Sequence, residues 1–185
     1  MWASSRATAP GPSSSPCAAS ERTLPDFVGP GMRTLVCGLN PSVISADAGY
    51  GYATPSNRFW RAAVAAGLTT AFRDPWMALA RDGVGMTDMV KRATPRSSML
   101  TKDDYRAGAT RVTRLVQWLR PALVLFVGLE GWRAAVDPKA TPGLQPEPFG
   151  DVRAYVMPST SGLNASSQMD ALVDHMRAAL GFSSP

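Results

Sequence analysis

Several features that define common classes of protein are missing from this chain. It contains no apolar run of eighteen or more residues, so we expect no membrane span. Two cysteines are too few for a four-thiolate zinc or iron–sulfur site. Cys17 lies in a Ser/Pro-rich stretch and Cys37 in an apolar run, so we expect no disulfide framework and a reducing compartment. The single histidine, His175, argues against a Ser–His–Asp triad, and we expect no metal or other cofactor.

The composition that remains is that of one basic, loop-rich domain. The chain has 185 residues, of which 45% are apolar, 16 are glycine and 16 are proline. Its net charge of +5 favours a polyanionic partner. Residues 1–25 are rich in Ser, Ala and Pro without a hydrophobic period, and we expect them to form a flexible arm. The folded domain is predicted to span residues 26–185.

Strand-like and helix-like patterns alternate along that domain. Short apolar runs predict four strands, within residues 32–41, 83–90, 122–128 and 152–158. Helical spacing predicts helices in residues 57–67, in Pro75–Arg81, from a capping box at Thr101 to Pro121, in residues 129–136, and from Ser167 onward. Residues 39–57 and 137–150 are predicted to be loops. This alternation predicts an α/β fold with a four-stranded, mainly parallel sheet and helices on both faces.

In such folds ligands bind beyond the carboxyl ends of the strands, so the loops that follow them are the candidate site. The loop after the first strand is much longer than an ordinary connection. One interpretation is a surface loop with a turn at Asn40 and Pro41. The other places the Asn40 amide where it can orient a water or a carbonyl group, with Tyr50 and Tyr52 offering flat faces to a planar ligand.

Four motifs in this chain resemble those of one enzyme family. GLNPS with GYGYATPSNRFW, then GVGMTDMVKRATP, GLQPEPFG and VMPSTSGLNA occur in the same order and spacing as in the mismatch-specific uracil/thymine-DNA glycosylases of the uracil-DNA glycosylase superfamily. The resemblance covers about residues 32–180. It implies a three-layer α/β/α sandwich and an enzyme that flips uracil out of duplex DNA and hydrolyses its N-glycosidic bond.

The resemblance also implies roles for single residues. Asn40 matches the asparagine that positions the attacking water, and Tyr52 matches the aromatic residue that stacks on the flipped base. Ser42 falls where a small residue lets the backbone approach the base, and it replaces a glycine of several relatives. Ser159 falls at the border of the base pocket.

Asp88 departs from the family pattern, in which Asn or Lys is frequent at the matching position. One interpretation is structural: Asp88 caps a turn or pairs with Lys91 or Arg92. The other is catalytic: a carboxylate near the sugar acts as a general base on the water, or stabilises the oxocarbenium-like sugar. We expect Asp88 to supplement or replace the catalytic role of Asn40.

The last motif follows the final strand and matches the loop that wedges into DNA. We expect contacts to DNA from Ser161, Gly162, Leu163 and Asn164, with Leu163 filling the gap left by the flipped base. The alternative is an ordinary loop before a helix. Lys91 and Arg92, together with Arg96, form a basic loop that either contacts phosphates or is simply a solvated charged surface. Arg111 is assigned to the solvent face of its helix.

The resulting hypothesis is a monofunctional DNA glycosylase in base-excision repair, acting on uracil, notably in U·G mispairs. Two alternatives stay open: a catalytically silent DNA- or nucleotide-binding module on the same fold, and a small-molecule nucleosidase. The sequence lacks the GxSxG, Walker and GxGxxG motifs of other α/β enzymes. The expected partner is double-stranded DNA that contains uracil or mismatches. We expect a monomer, located in the cytoplasm of a bacterium, or in the nucleus or an organelle of a eukaryote.

Overall fold

The computed structural model describes residues 22–183, and its regular elements alternate as the sequence predicts. The strands are β1 (Thr34–Gly38), β2 (Val84–Asp88), β3 (Leu123–Val127), β4 (Gly143–Leu144) and β5 (Arg153–Met157). The helices are α1 (Val43–Ala48), α2 (Phe59–Ala66), α3 (Pro75–Asp82), α4 (Lys102–Leu119), α5 (Leu129–Ala135) and α6 (Met169–Leu180). A 3₁₀ turn covers Ser97–Met99.

The strands form one sheet in the order β2-β1-β3-β5-β4. Pairings among the first four strands of this order are parallel, and β4 is antiparallel to β5. In the register of β1 with β2, Gly38 lies opposite Asp88. The carboxyl ends of β1 and β2 therefore meet at one edge of the sheet.

Helices cover both faces of the sheet, which makes the predicted three-layer α/β/α arrangement. Alternate residues of each strand enter opposite cores, as for Val36 on one face and Cys37 on the other. Helices α2 and α6 pack over the first face and α4 and α5 over the second. Buried strand residues on both faces explain the continuous apolar runs that predicted a parallel sheet.

Three local features differ from the predictions. Helix α1 lies in the predicted loop 39–57, where the Ser42 hydroxyl caps it by accepting from the Ser45 amide. Strand β4 is a fifth strand, formed by two residues inside the predicted loop 137–150. Helix α6 begins after Gln168 instead of Ser167.

Residues just ahead of the predicted boundary at residue 26 also contact the rest of the fold. Leu24 is 3% exposed and packs among the aromatic residues of the first core. The Arg22 carbonyl accepts a hydrogen bond from the Ala93 amide at 2.9 Å. The rest of the predicted arm, residues 1–21, lies outside the described residues. No helix of residues 22–183 is both long and apolar enough to cross a membrane.

Candidate functional site

A cleft of about 380 Å³ opens at the carboxyl ends of the parallel strands. It brings together most residues that the sequence analysis assigned to the site, although they come from segments far apart in the chain. Those that line it are Asn40, Ser42, Tyr52, Asp88, Ser159, Ser161, Gly162 and Leu163. The cleft is where a doubly wound sheet binds its ligand, because several loops diverge there.

The orientation of the Asn40 amide is determined by its hydrogen bonds. Its Nδ2 donates to the carbonyl oxygens of Pro41 and Arg92, both at 3.1 Å. It also donates to Thr94 Oγ1 at 2.8 Å, and that hydroxyl donates to the Arg96 carbonyl at 2.9 Å. Because every nearby partner is an acceptor, the amide nitrogen faces them. Asn40 Oδ1 accepts no hydrogen bond from residues 22–183 and is the atom left to accept one from a water.

Asp88 ends β2 at the floor of the cleft and is 8% exposed. Within residues 22–183, no donor is hydrogen-bonded to its carboxylate oxygens. Burial raises the pKa of Asp88 to about 6, although Lys91 and Arg111 oppose that rise. A nearly buried carboxylate without a donor is expensive to maintain, and such groups concentrate at functional sites.

Gly38 is the residue that allows Asp88 and Tyr52 to approach each other. A Cβ at position 38 would lie 2.4 Å from Asp88 Oδ1 and 3.0 Å from the Tyr52 hydroxyl oxygen. The Tyr52 hydroxyl is buried and has no hydrogen-bond partner in the described part of the chain. Burial, with the charge of Asp88 as the next cause, raises the pKa of Tyr52, so its hydroxyl stays protonated.

The Tyr52 ring is held from behind by an aromatic stack. Its ring centroid lies 4.0 Å from that of Phe59, with an angle of 15° between the planes. Phe59 itself is fully buried, as predicted for the start of α2. Because Phe59 takes one face of the Tyr52 ring, a planar ligand in the cleft has only the other face to stack on.

Asp26, Lys91 and Arg111 form a network of charged side chains next to Asp88. None of them donates a hydrogen bond to the carboxylate oxygens of Asp88. Asp26 pairs with Lys91 Nζ at 2.7 Å and with Arg111 at 2.9 Å. The Arg111 guanidinium also donates to the main-chain carbonyl of Asp88. Burial raises the pKa of Asp26, but bonds from Lys91 and Thr87 outweigh it and hold that pKa below its usual value. Asp26 therefore forms ion pairs with Lys91 and Arg111, the two cations whose charges act on Asp88.

The predicted DNA-contacting residues 161–164 lie in a loop, residues 158–168, that borders the cleft and is called the Leu163 loop below. Leu163 is 92% exposed. The Asn164 side chain turns inward, donating to the Ser159 carbonyl at 2.8 Å and accepting from the Ser166 hydroxyl at 2.6 Å. Asn164 does not line the cleft. The hydroxyl of Ser159 accepts from the Ser161 amide at 3.2 Å.

Lys91 and Arg92 lie outside the cleft lining, in ion pairs. Lys91 is paired with Asp26, and Arg92 with Asp104 at 2.9 Å. Arg96 does line the cleft, and its side chain has no ion pair or hydrogen bond within residues 22–183. Of the three cations in the basic loop, Arg96 is therefore the one that is free to contact a ligand in the cleft.

Some residues of the site were not found by sequence reasoning. Thr94 orients Asn40, Asp26 takes the cations behind Asp88, and Arg58 binds the Leu163 loop. Arg111, expected on a solvent face, belongs to the network of Asp26. For Asp26, the one indication in the sequence was a carboxylate just ahead of the first strand. The contacts of Thr94, Arg58 and Arg111 join segments distant in sequence, so nothing in the sequence indicated them. Among the described residues, no cluster of three or more His, Cys, Asp or Glu could hold a metal ion.

Comparisons with known proteins agree with this fold. A family model described as the uracil DNA glycosylase superfamily matches residues 25–181. The solution NMR structure of a protein from Methanosarcina acetivorans, provisionally named a uracil DNA glycosylase, superposes with a TM-score of 0.57. The match covers 89% of this chain and 99% of that one at 19% sequence identity. At that identity the likeness concerns the fold.

Proposed function

The chain belongs to the uracil DNA glycosylase superfamily, and on that basis we propose that it removes uracil from DNA, including uracil in U·G mispairs. The observation that carries the proposal is that two hydrogen-bond acceptors without a donor line the same cleft. These are the carboxylate of Asp88 and the Oδ1 of Asn40, each without a donor among residues 22–183.

The two acceptors have different roles in activating a water molecule. Asn40 Oδ1 accepts a hydrogen bond from the water and orients it. The ionised Asp88 takes the water's proton as its oxygen bonds to C1′ of the deoxyribose. The bond from C1′ to the base nitrogen breaks, and its electron pair leaves with the uracil. The negative charge of Asp88 also stabilises the positive charge that develops on the sugar in the transition state.

The base is expected to stack on the open face of Tyr52, with Ser42 and Ser159 at the borders of its pocket. The hydroxyl of Ser42 is already engaged, since it caps α1 and lies 3.3 Å from Thr54 Oγ1. Ser42 therefore acts through its small size. A monofunctional reaction is proposed because no lysine of the described residues lines the cleft, and Lys91 is held in an ion pair with Asp26.

The test is base release under single-turnover conditions from U·G, U·A and T·G duplexes and from single-stranded uracil DNA. We expect wild-type release from U·G, and a loss of about 10²–10⁴-fold in Asp88→Ala and in Asn40→Ala, as for removal of a general base or its partner. Asp47→Ala is the matched control, because Asp47 is an exposed carboxylate that pairs with Arg22.

Each other outcome contradicts part of the proposal. Full activity of Asp88→Ala would refute the catalytic role of Asp88. Tight binding to a uracil duplex without base release would indicate a silent binding module. Release from free nucleosides but not from DNA would indicate a nucleosidase.

A further inference from the structure

The side chain of Arg58 attaches the Leu163 loop to the body of the protein at three carbonyl groups. The Nη2 of Arg58 donates to the carbonyl oxygens of Ser161 at 3.0 Å and Asn164 at 2.8 Å. Its Nη1 donates to the carbonyl of Ser167. The three carbonyls bracket Leu163 on both sides along the chain, so a single guanidinium ties the two ends of the exposed turn together.

The main chain of Arg58 is fixed by the helix that it precedes. Its amide donates to the Thr160 carbonyl at 3.0 Å, a further bond to the loop. Helix α2 starts directly after it with Phe59 and Trp60, which are 0% and 2% exposed. The guanidinium therefore projects from a rigid element, which is the arrangement that positions a loop most accurately.

A second, independent contact docks the same loop. A Cβ at Gly162 would lie 2.6 Å from the Cβ of Ser56 and 2.9 Å from its carbonyl oxygen. Glycine is needed here for close approach, because any other residue would push the loop away from the turn before α2. Arg58 and Gly162 therefore hold the loop through two separate contacts.

We propose that Arg58 is a positioning residue that holds the Leu163 loop in the shape required to insert Leu163 into duplex DNA. The proposal rests on the proposed function and deepens it. A loop ordered before binding loses less conformational entropy on contact with DNA. The guanidinium is suited to this task because its planar fork reaches several carbonyls at once, whereas a lysine ammonium is a single point.

The first test compares two uracil substrates under single-turnover conditions, one in a U·G duplex and one in an unpaired bubble. Arg58→Lys and Gly162→Ala should each slow release from the duplex by at least about tenfold, the effect of losing 1.4 kcal/mol of loop positioning. Release from the bubble should stay within about twofold of wild type, because an unpaired base does not need the wedge. Arg61→Gln is the control, since Arg61 is an exposed cation on the same helix.

The second readout reports flipping without chemistry. A 2-aminopurine placed beside the uracil brightens when its neighbour leaves the stack, and Arg58→Lys should weaken this signal in the duplex. Equal losses on duplex and bubble, or an unchanged duplex rate with an unchanged signal, would overturn the inference. A wild-type protein that flips uracil without releasing it would refute the proposed activity and leave this inference standing. Thermal unfolding of each variant identifies any general loss of folding.

Discussion

At the residue scale, Asp88 occupies a position that destabilises the fold, and it is the residue for which we propose a role as general base. Its carboxylate lies at the cleft floor with no donor among residues 22–183, and burial raises its pKa from 3.8 to about 6. Because that pKa is raised on folding, the ionised form weakens the fold. The penalty is absent below the unfolded pKa near 4, grows as the pH rises, and is complete above about 6.

Replacing Asp88 by Asn should therefore stabilise the protein while it inactivates the proposed reaction. We expect Asp88→Asn to raise the free energy of unfolding at pH 8 by up to about 3 kcal/mol, with the difference vanishing towards pH 4. Urea denaturation of both proteins across this pH range measures it. Equal stability at pH 8 would show that the carboxylate is better solvated or paired than its contacts indicate.

The placement of candidate residues at the ends of strands could be predicted from the sequence, and their contacts with distant segments could not. Asn40 and Asp88 stand directly at the ends of strands, where the sequence pattern alone marks a ligand site. Thr94 and Arg58 contact residues about 54 and 103 positions away in the chain, and a single sequence contains no sign of such pairings.

At the element scale, prediction succeeded where the pattern was long or capped. The capping box of Thr101 and Asp104 begins α4 as predicted, because both of its reciprocal bonds form within one turn. Helix α1 was missed because its six residues are too short to show a period. Strand β4 was missed because its two residues pair only through β5.

The segment before β1 is an element whose role appears only in the fold. Phe27 forms an isolated antiparallel bridge with Met86, which brings Asp26 beside β2. Asp26 then neutralises Lys91 and Arg111. The other ionisable groups facing Asp88 are the buried thiol of Cys37 and the buried hydroxyl of Tyr52, and both are protonated because burial raises the pKa of each.

Asp26→Asn should move the acidic limb of the pH–rate profile to lower pH. The charge of Asp26 raises the pKa of Asp88, and its loss also leaves Lys91 and Arg111 uncompensated beside that carboxylate. Asp88 then stays ionised at more acidic pH, so the limb, expected near pH 6 in the wild type, moves to lower pH. Single-turnover rates between pH 4 and pH 8 measure the limb, with Asp47→Asn as the control because Asp47 pairs with Arg22 of the same segment. A limb that stays in place or moves to higher pH contradicts this role.

At the scale of the whole molecule, the net charge of +5 does not show which cations are free to meet DNA. Several lysines and arginines are held in ion pairs with acidic side chains, namely Arg22, Arg81, Lys91, Arg92, Arg106, Arg111 and Arg177. Composition predicted a polyanionic partner, but the distribution of free charge depends on tertiary pairing. Position at the cleft therefore matters more than total charge.

Arg96 should contribute more to phosphate binding than Lys91 or Arg92, although all three lie in one basic loop. It lines the cleft, and its side chain is unpaired within the described residues, whereas Lys91 and Arg92 already have carboxylate partners. Each phosphate contact contributes about 0.9 to the slope of log K against log salt for duplex DNA. We expect Arg96→Gln to reduce the magnitude of the slope by about 0.9, the contribution of one phosphate contact, and Arg92→Gln to reduce it by clearly less. Fluorescence anisotropy measures both slopes, with a duplex that carries a non-hydrolysable uracil nucleotide. The salt concentration is varied from roughly 50 to 200 mM. An equal or larger change in Arg92→Gln would mean that its pair with Asp104 opens on DNA, and that the whole basic loop forms the phosphate-binding surface.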